Sequence, residues 1–222
     1  MRLAIVVPIK SPRRAKHRLE SIMSPDERAL LAITMAREVM AVVSQFTEFG
    51  RFAVSDDPEV LAVAAEFGLE PLDDRRVQGQ SAAVQQGFNA AWDRGYTAAL
   101  TIPGDVPAVT AAEIRALCEY RPELEVLLAR DREKVGTNGL RLIPPHAIAL
   151  RFGEDSYNLH RAEAARVNRS FGLLDSEALG CDLDRPDDVM AFQRLGRDTA
   201  TLRLLNRFQV FDRVAAVVTP PV

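Results

Sequence analysis

Short, continuously apolar runs alternate with longer segments of mixed polarity through the first half of the chain. Residues 3–8 (L-A-I-V-V-P) are apolar throughout, and residues 98–102 (A-A-L-T-I) form a similar run that stops at Pro103 and Gly104. Runs this short that end at turn residues indicate strands, and their lack of polar positions indicates burial on both faces. The predicted strands of this half are residues 3–8, 52–55, 69–72 and 98–102.

Helix-start signals follow each of these strands. Ser24-Pro25-Asp26-Glu27 combines a cap, a proline in the first turn and a glutamate that can reach back to the cap. Thr110 and Glu113 form a second capping box after the strand at 98–102. The predicted helices span residues 25–44, 58–67, 78–95 and 111–120. This alternation predicts an α/β fold with a mostly parallel central sheet, right-handed crossovers and helices on both faces.

The second half of the chain is less regular. Its predicted strands are residues 125–129, 140–143, 171–174, 179–183 and 214–218, with a polar loop at 130–138. Its predicted helices are 156–168, one that begins at Arg185-Pro186, and 202–208. Ser156 is the expected cap of the first of these helices.

Composition narrows the class of protein. A net charge of −3 and a pI near 5.7 argue against a general nucleic-acid binder. With 222 residues, 47% of them hydrophobic, the chain fits one domain with a proper core. We expect the main domain at 1–196. Residues 197–222 are expected to form an extension that packs on it or serves oligomerisation, for instance in a homodimer.

The cysteine pattern and the apolar runs bear on the compartment. Cys118 and Cys181 lie far apart, without metal-ligand spacing, which favours a reducing environment. The apolar run after Arg2 is too short for a signal peptide, and no run approaches the ~20 residues of a membrane span. We therefore expect a cytoplasmic protein that engages no membrane.

One carboxylate follows the strand at 98–102 directly. Asp105 stands between Gly104 and Val106-Pro107, and the next helix begins a few residues later. Ligands bind at the carboxyl edge of an open α/β sheet, so Asp105 is a candidate functional residue. The alternative is that Asp105 only closes a turn, which aspartate does well.

Two further carboxylates stand close together in C-D-L-D. In a strand, Asp182 and Asp184 would face the same side, where their charges repel unless a cation lies between them. Oxygen ligands of this kind suit Mg²⁺. The alternative is that Asp184 caps the helix beginning at Pro186 while Asp182 is solvated.

A basic segment follows the first strand. Five cations fall within nine residues, namely Lys10, Arg13, Arg14, Lys16 and Arg18. A cationic loop at this edge of a sheet can fold over a polyphosphate and offset charge on its leaving oxygens. The alternative is an exposed basic segment that serves solubility.

Two segments in the second half carry small residues and short polar side chains. In G-T-N-G the glycines permit close backbone approach, while Thr137 and Asn138 supply hydrogen-bonding groups. Gly153 precedes the helix expected at Ser156, and a helix N-terminus beside a glycine can bind an anion. Each signal alone also describes an ordinary loop.

Taken together and in order, these motifs point to one family. They are V-V-P-I-K at 6–10, A-K-H-R-L at 15–19, P-G-D-V-P at 103–107, G-T-N-G-L at 136–140, F-G-E-D-S at 152–156 with His160 following, and D-L-D-R-P-D-D at 182–188. The chain resembles the phospholactate and phosphoenolpyruvate guanylyltransferases of coenzyme F420 biosynthesis, the CofC/FbiD family. The resemblance covers residues 1 to about 195. It implies a Rossmann-like, GT-A-like nucleotidyltransferase fold.

The resemblance also implies a reaction. GMP would pass from GTP to the phosphate of phosphoenolpyruvate, 3-phosphoglycerate or 2-phospholactate. Pyrophosphate would be released, and the product would pass to a downstream transferase of the F420 pathway.

The resemblance also implies the site residues. The Mg²⁺ ligands implied are Asp105, Asp182 and Asp184. The implied phospho-acid contacts are Thr137, Asn138, Gly153 and Ser156. The implied nucleotide contacts are Pro8, Lys10, Lys16, Gly79, Gln80 and Ser81. The implied catalytic residues are Lys10, Lys16, Arg18 and Asp105.

One departure leaves alternatives open. Where the family pattern is G-L-N-A-A-L, this chain has Gly79-Gln80-Ser81-Ala82-Ala83-Val84, so that Ser81 replaces an asparagine. The change bears on base or ribose contacts. The alternatives are therefore a related nucleotidyltransferase with another nucleotide or acceptor, and a nucleotide-binding regulator without turnover.

Overall fold

The structure is a computed structural model that describes residues 1–75 and 79–218. Over these residues it contains one seven-stranded sheet. The strands are β1 Leu3–Pro8, β2 Gly50–Ser55, β3 Glu70–Asp73, β4 Ala98–Thr101, β5 Val126–Arg130, β6 Thr137–Leu142 and β7 Phe171–Leu173. The α-helices are α1 Pro25–Val43, α2 Pro58–Glu66, α3 Gln80–Asp93, α4 Ala111–Glu119, α5 Ser156–Arg166, α6 Glu177–Gly180, α7 Pro186–Arg194, α8 Ala200–Arg207 and α9 Val210–Val218.

The strand order is β3-β2-β1-β4-β6-β5-β7. All pairs are parallel except those of β6, which runs antiparallel to both β4 and β5. The predicted mostly parallel α/β sheet is therefore confirmed. Because β6 is reversed, its first residue, Thr137, lies at the edge where β1 and β4 have their carboxyl ends. That edge collects most of the predicted site.

Both faces of the sheet are covered, as the apolar runs predicted. Ile5 packs with α1, α2 and α4 on one face, and the adjacent Val6 packs with α3 and α5 on the other. Neither side chain is exposed. Both predicted capping boxes form, at Ser24 with Glu27 and at Thr110 with Glu113.

The basic segment rests on the last three helices. Leu19 and Ile22 are buried in a cluster with Leu205 of α8 and Val210 and Val214 of α9. Arg213 of α9 donates to the Ile22 carbonyl at 3.0 Å and pairs with Glu27. Residues 197–217 thus pack beneath the segment that carries Lys16. In the part of the chain that the structure describes, no helix is both long and apolar enough to cross a membrane.

Some local predictions were wrong. Residues 179–183 are not a strand, because Ser176 caps the short helix α6, which carries the chain to Gly180. Residues 214–218 belong to helix α9, since the buried positions Val210 and Val214 are spaced four apart rather than alternating. Thr137 and Asn138 begin strand β6 instead of ending a loop. Asp155, not Ser156, is the N-cap of α5, and Ser156 is the first helical residue.

Candidate active site

Two clusters of polar side chains lie at the carboxyl edge of the sheet. The carboxylate cluster consists of Lys16, Asp105, Asn138, Asp182 and Asp184. The hydroxyl cluster consists of Ser81, Thr137 and His160 with the backbone N–H groups of Arg151 and Phe152. The adjacent residues Thr137 and Asn138 join the two clusters.

Lys16 is the centre of the carboxylate cluster. It adopts a left-handed backbone conformation (φ 58°) between two 3₁₀ turns, and its side chain is only 5% exposed. Its Nζ lies 2.7 Å from Asp105 Oδ2 and 2.8 Å from Asp184 Oδ1. Arg18 is exposed and reaches Asp184 at 3.6 Å. One buried ammonium therefore joins the turn after β4 to the D-L-D segment.

The D-L-D segment is held in place through its backbone. Leu183 N–H donates to the Asp105 carbonyl at 3.2 Å. Asp188 Oδ2 accepts from the N–H groups of Asp184 and Arg185, at 3.2 and 2.8 Å. Arg185, not Asp184, is the N-cap of α7, so the Asp184 carboxylate is free to bind Lys16.

Asp188 is a residue that sequence reasoning missed. Its other oxygen, Oδ1, accepts from Arg132 at 2.7 Å. From the sequence, R-P-D-D predicted only a helix start. The signal for this role is the aspartate at the third helical position, because such a residue can accept from backbone N–H groups just before the helix.

Charge and burial set the protonation of these groups. Burial lowers the pKa of Lys16, but Asp105 and Asp184 outweigh it and raise that pKa overall. Burial raises the pKa of Asp184, and the Lys16 charge reverses this and lowers it. Burial and then the Asp105 charge raise the pKa of Asp182 to about 7, although Asn138 donates to it at 2.9 Å. The cluster holds more negative charge than Lys16 alone neutralises.

A β-bulge in β6 sets the directions in which the side chains of Thr137 and Asn138 point. Ala129 pairs with Gly139 and Arg130 with Thr137, which leaves Asn138 as an extra residue in β6. Thr137 therefore faces α5, on the same side as Leu140, although strict alternation would place residues three apart on opposite faces. Asn138 turns to Asp182.

The hydroxyl cluster ties α3, α5 and the loop before α5 together. Ser81 Oγ accepts from Phe152 N–H at 2.8 Å. Arg151 N–H donates to His160 Nε2 at 2.9 Å, and His160 Nδ1 lies 3.1 Å from Thr137 Oγ1. Ser81 thus contacts the loop, and its nucleotide contact, implied by the family resemblance, stays a prediction. The sequence predicts no separate role for His160, which stands there only as the residue following F-G-E-D-S.

The remaining predicted residues line the same edge. Gly153 has φ 126° and open space where a Cβ would stand, which suits close approach of a ligand to its backbone. Ser156 is 2% exposed in the first turn of α5. Pro8 ends β1, Lys10 is exposed after it, Gly79 is the N-cap of α3, and Gln80 is the first residue of that helix.

The side chains of Pro8, Lys10 and Gln80 form no hydrogen bond to either cluster within the described residues. Gly79 has no side chain to offer. Over the same ranges, no three carboxylate, histidine or cysteine side chains are arranged as a metal centre. The donors are nevertheless the hard oxygens that Mg²⁺ prefers, and Lys16 is the cation that they share here.

The fold is that of the nucleotidyltransferases. The whole architecture matches a proposed nucleotide-diphospho-sugar transferase from Desulfovibrio desulfuricans G20, with a TM-score of 0.78 at 14% identity, over 97% of this chain and 98% of the other. The family described as "Guanylyl transferase CofC like" matches residues 3–215. The chain belongs to this CofC family.

Two curated relatives cover most of the chain. The phosphoenolpyruvate guanylyltransferase of Sphaerobacter thermophilus is 35% identical over 83% of this chain and 89% of its own length. The 3-phospho-D-glycerate guanylyltransferase of Colwellia psychrerythraea is 29% identical over 85% of this chain and 90% of its own length. The family match reaches to residue 215 and so includes α8 and part of α9, for which the sequence motifs offered no counterpart.

Proposed function

We propose that the protein transfers GMP from GTP to the phosphate of phosphoenolpyruvate and releases pyrophosphate, as a step in coenzyme F420 biosynthesis. Family membership and the guanylyltransferase relatives support the reaction. The observation that carries it is the buried Lys16 bridging Asp105 and Asp184 at the edge where the first strand, the P-G-D-V-P turn and the reversed strand β6 meet. This arrangement offers cation and carboxylate together, which a triphosphate and its metal ion require.

The chemistry needs no nucleophile from the protein. An oxygen of the acceptor phosphate attacks the α-phosphorus of GTP, and the bond from that phosphorus to the oxygen that bridges to the β-phosphate breaks. Burial raises the pKa of both Cys118 and Cys181 to about 12, so neither supplies a thiolate. The protein's contribution is alignment and charge neutralisation, with Lys16 and Arg18 facing the phosphates.

A divalent cation completes this proposal. Asp105, Asp182 and Asp184 would hold Mg²⁺, which would neutralise phosphate charge and polarise the phosphorus centre. The raised pKa of Asp182 agrees with a cluster short of positive charge. Thr137, Gly153 and Ser156 would contact the acceptor, because they lie together beside the carboxylate cluster.

The test is a panel of four nucleoside triphosphates against phosphoenolpyruvate, 3-phosphoglycerate and 2-phospholactate, with Mg²⁺ and pyrophosphate release as the readout. Release with GTP and phosphoenolpyruvate is expected. Release with GTP and 3-phosphoglycerate would move the acceptor to that of the Colwellia relative. Release with a nucleotide other than GTP would contradict guanylyl transfer, and GTP binding without any release would indicate a regulator.

Matched variants test the site within the same assay. Asp105→Asn and Asp184→Asn are expected to reduce turnover at least about a hundredfold while the fold persists, because each removes a charge that the cluster uses. Asp187→Asn, an exposed carboxylate three residues from Asp184, is the control and is expected to be neutral. A near-normal Asp184→Asn enzyme would remove that residue from the catalytic site.

A further inference from the structure

His160 is the buried residue on which the hydroxyl cluster is assembled. Its ring has no exposed surface and lies edge-on to Phe152, with the ring centroids 4.9 Å apart. Both ring nitrogens have partners, Arg151 N–H at Nε2 and Thr137 Oγ1 at Nδ1. Only the Arg151 contact has a fixed direction, because the Thr137 hydroxyl can either donate or accept.

The backbone contact decides where the proton of the neutral ring is. A backbone N–H can only donate, so Nε2 must accept from Arg151 with its lone pair. The neutral imidazole then carries its proton on Nδ1, and Nδ1–H donates to Thr137 Oγ1. The pKa of His160 is lowered to about 4, mainly by burial and also by the charge of nearby Arg151, although Glu163 and a hydrogen bond to the Ser156 backbone raise it. The ring is therefore neutral at neutral pH.

The direction of this bond decides what Thr137 can do. Its oxygen accepts from His160, so its own hydroxyl proton has to be donated elsewhere. Thr137 Oγ1 has no other hydrogen-bond partner among residues 1–75 and 79–218. Thr137 is 6% exposed, stands at the carboxyl edge of the sheet and precedes Asn138, which binds Asp182.

We propose that His160 is a positioning residue that fixes the Thr137 hydroxyl as a hydrogen-bond donor to an anionic oxygen of the acceptor. The inference rests on the proposed function for the identity of that acceptor. A hydroxyl whose donor direction is already fixed loses less conformational entropy when the acceptor binds than a hydroxyl that is free to rotate. His160 itself does not touch the substrate.

Two substitutions separate this role from a merely structural one. The amide nitrogen of Asn matches the position of histidine Nδ1, and the amide oxygen of Gln matches the position of Nε2. His160→Asn therefore keeps a donor to Thr137 and loses the acceptor for Arg151. His160→Gln keeps that acceptor and loses the donor.

We expect His160→Gln to raise the KM for phosphoenolpyruvate by roughly tenfold with little change in the KM for GTP, and His160→Asn to stay within about threefold of the wild type. Thr137→Val should resemble His160→Gln, and the double variant should be no worse than Thr137→Val alone. The reverse order, with Gln tolerated and Asn impaired, would show that His160 only anchors the loop. Equal losses in both variants would also overturn the proposal.

The tautomer can be measured without any substrate. Long-range ¹H–¹⁵N correlation spectra of the full chain should show one histidine of three with its proton on Nδ1 at pH 7, and this signal should vanish in His160→Asn. A proton on Nε2 would contradict this inference alone. A wild-type protein with the expected tautomer but no turnover of any acid in the panel would contradict the proposed function alone.

Discussion

The ammonium of Lys16 lies 2.7 Å from Oδ2 of Asp105, a residue 89 positions further along the chain. A second contact of 2.8 Å joins it to Asp184. A divalent cation that uses these same carboxylate oxygens has to compete with the lysine for them. Lys16 would thus couple metal binding at the carboxylate cluster to the position of the basic segment.

Replacement of Lys16 by Met tests this competition. We expect Lys16→Met to bind Mn²⁺ about tenfold more tightly in the absence of nucleotide, because two carboxylates lose a cation at hydrogen-bond distance. Calorimetric titration measures the affinity. Arg115→Met is the matched control, since Arg115 also pairs with two carboxylates, Glu48 and Glu119, but on the surface of α4. Weaker Mn²⁺ binding by Lys16→Met would show that lysine and metal do not compete.

Ser81 is expected to act through the loop before α5. Its Oγ accepts from Phe152 N–H, next to Gly153, so Ser81→Ala should raise the KM for the acceptor by about three- to tenfold and leave the KM for GTP nearly unchanged. Initial-rate kinetics with each substrate varied in turn measure both constants. Asn89→Ala, on the exposed side of α3, is the control. A rise in the KM for GTP alone would instead assign Ser81 to the nucleotide.

Gly87 is expected to be intolerant of even a methyl group. A Cβ there would lie 2.3 Å from Val6 Cγ1 and 3.2 Å from Val54 Cγ2, where α3 packs on strands β1 and β2. Alanine favours helix by about 1 kcal/mol over glycine, but overpacking costs about 1–3 kcal/mol, so Gly87→Ala should be destabilised or at best unchanged. Urea unfolding measures the free energy. A clear gain in stability would mean that α3 can move outward without cost.

His160 also predicts how stability depends on pH. Burial lowers its pKa to about 4, whereas an unfolded chain binds the proton near 6.5. The contribution of neutral His160 to the free energy of unfolding is therefore complete above about pH 6.5. It is lost as the pH falls toward 4, since between these values only the unfolded chain binds a proton at His160. Between pH 7.5 and 4.5 the stability advantage of wild type over His160→Asn should shrink by about 2–3 kcal/mol.

Urea unfolding at the two pH values measures this difference. His146→Asn, on the surface, is the control and should show no comparable trend. A difference that did not change with pH would mean that His160 takes up its proton equally in both states.

Much of the fold followed from local patterns. Short apolar runs predicted β1 and β4, and the capping boxes at Ser24 and Thr110 predicted where α1 and α4 begin, because caps and periodicity depend on neighbours a few residues apart. The same patterns placed Asp105 at the carboxyl edge of the sheet. The motifs at 103–107, 136–140 and 182–188 predicted the family, which the family match confirmed.

The reversed strand β6 and its bulge had no such local signal. The sequence predicts Thr137 and Asn138 as loop residues, since nothing in their own sequence shows which strand they will pair with. The fully buried Arg141 donates to carbonyls at the end of α4, among them those of Cys118 and Tyr120. The local sequence of β6 does not predict these contacts.

The sequence by itself determined the order of strands and helices as far as β7, the basic segment, the three aspartates and the family. Only the tertiary structure decided that Lys16 bridges Asp105 and Asp184, that Ser81 holds Phe152, and that His160 holds Thr137. The reason is physical. Caps and buried runs are specified by residues adjacent in the chain, whereas these contacts join residues 23 to 168 positions apart and exist only when sheet and helices are packed.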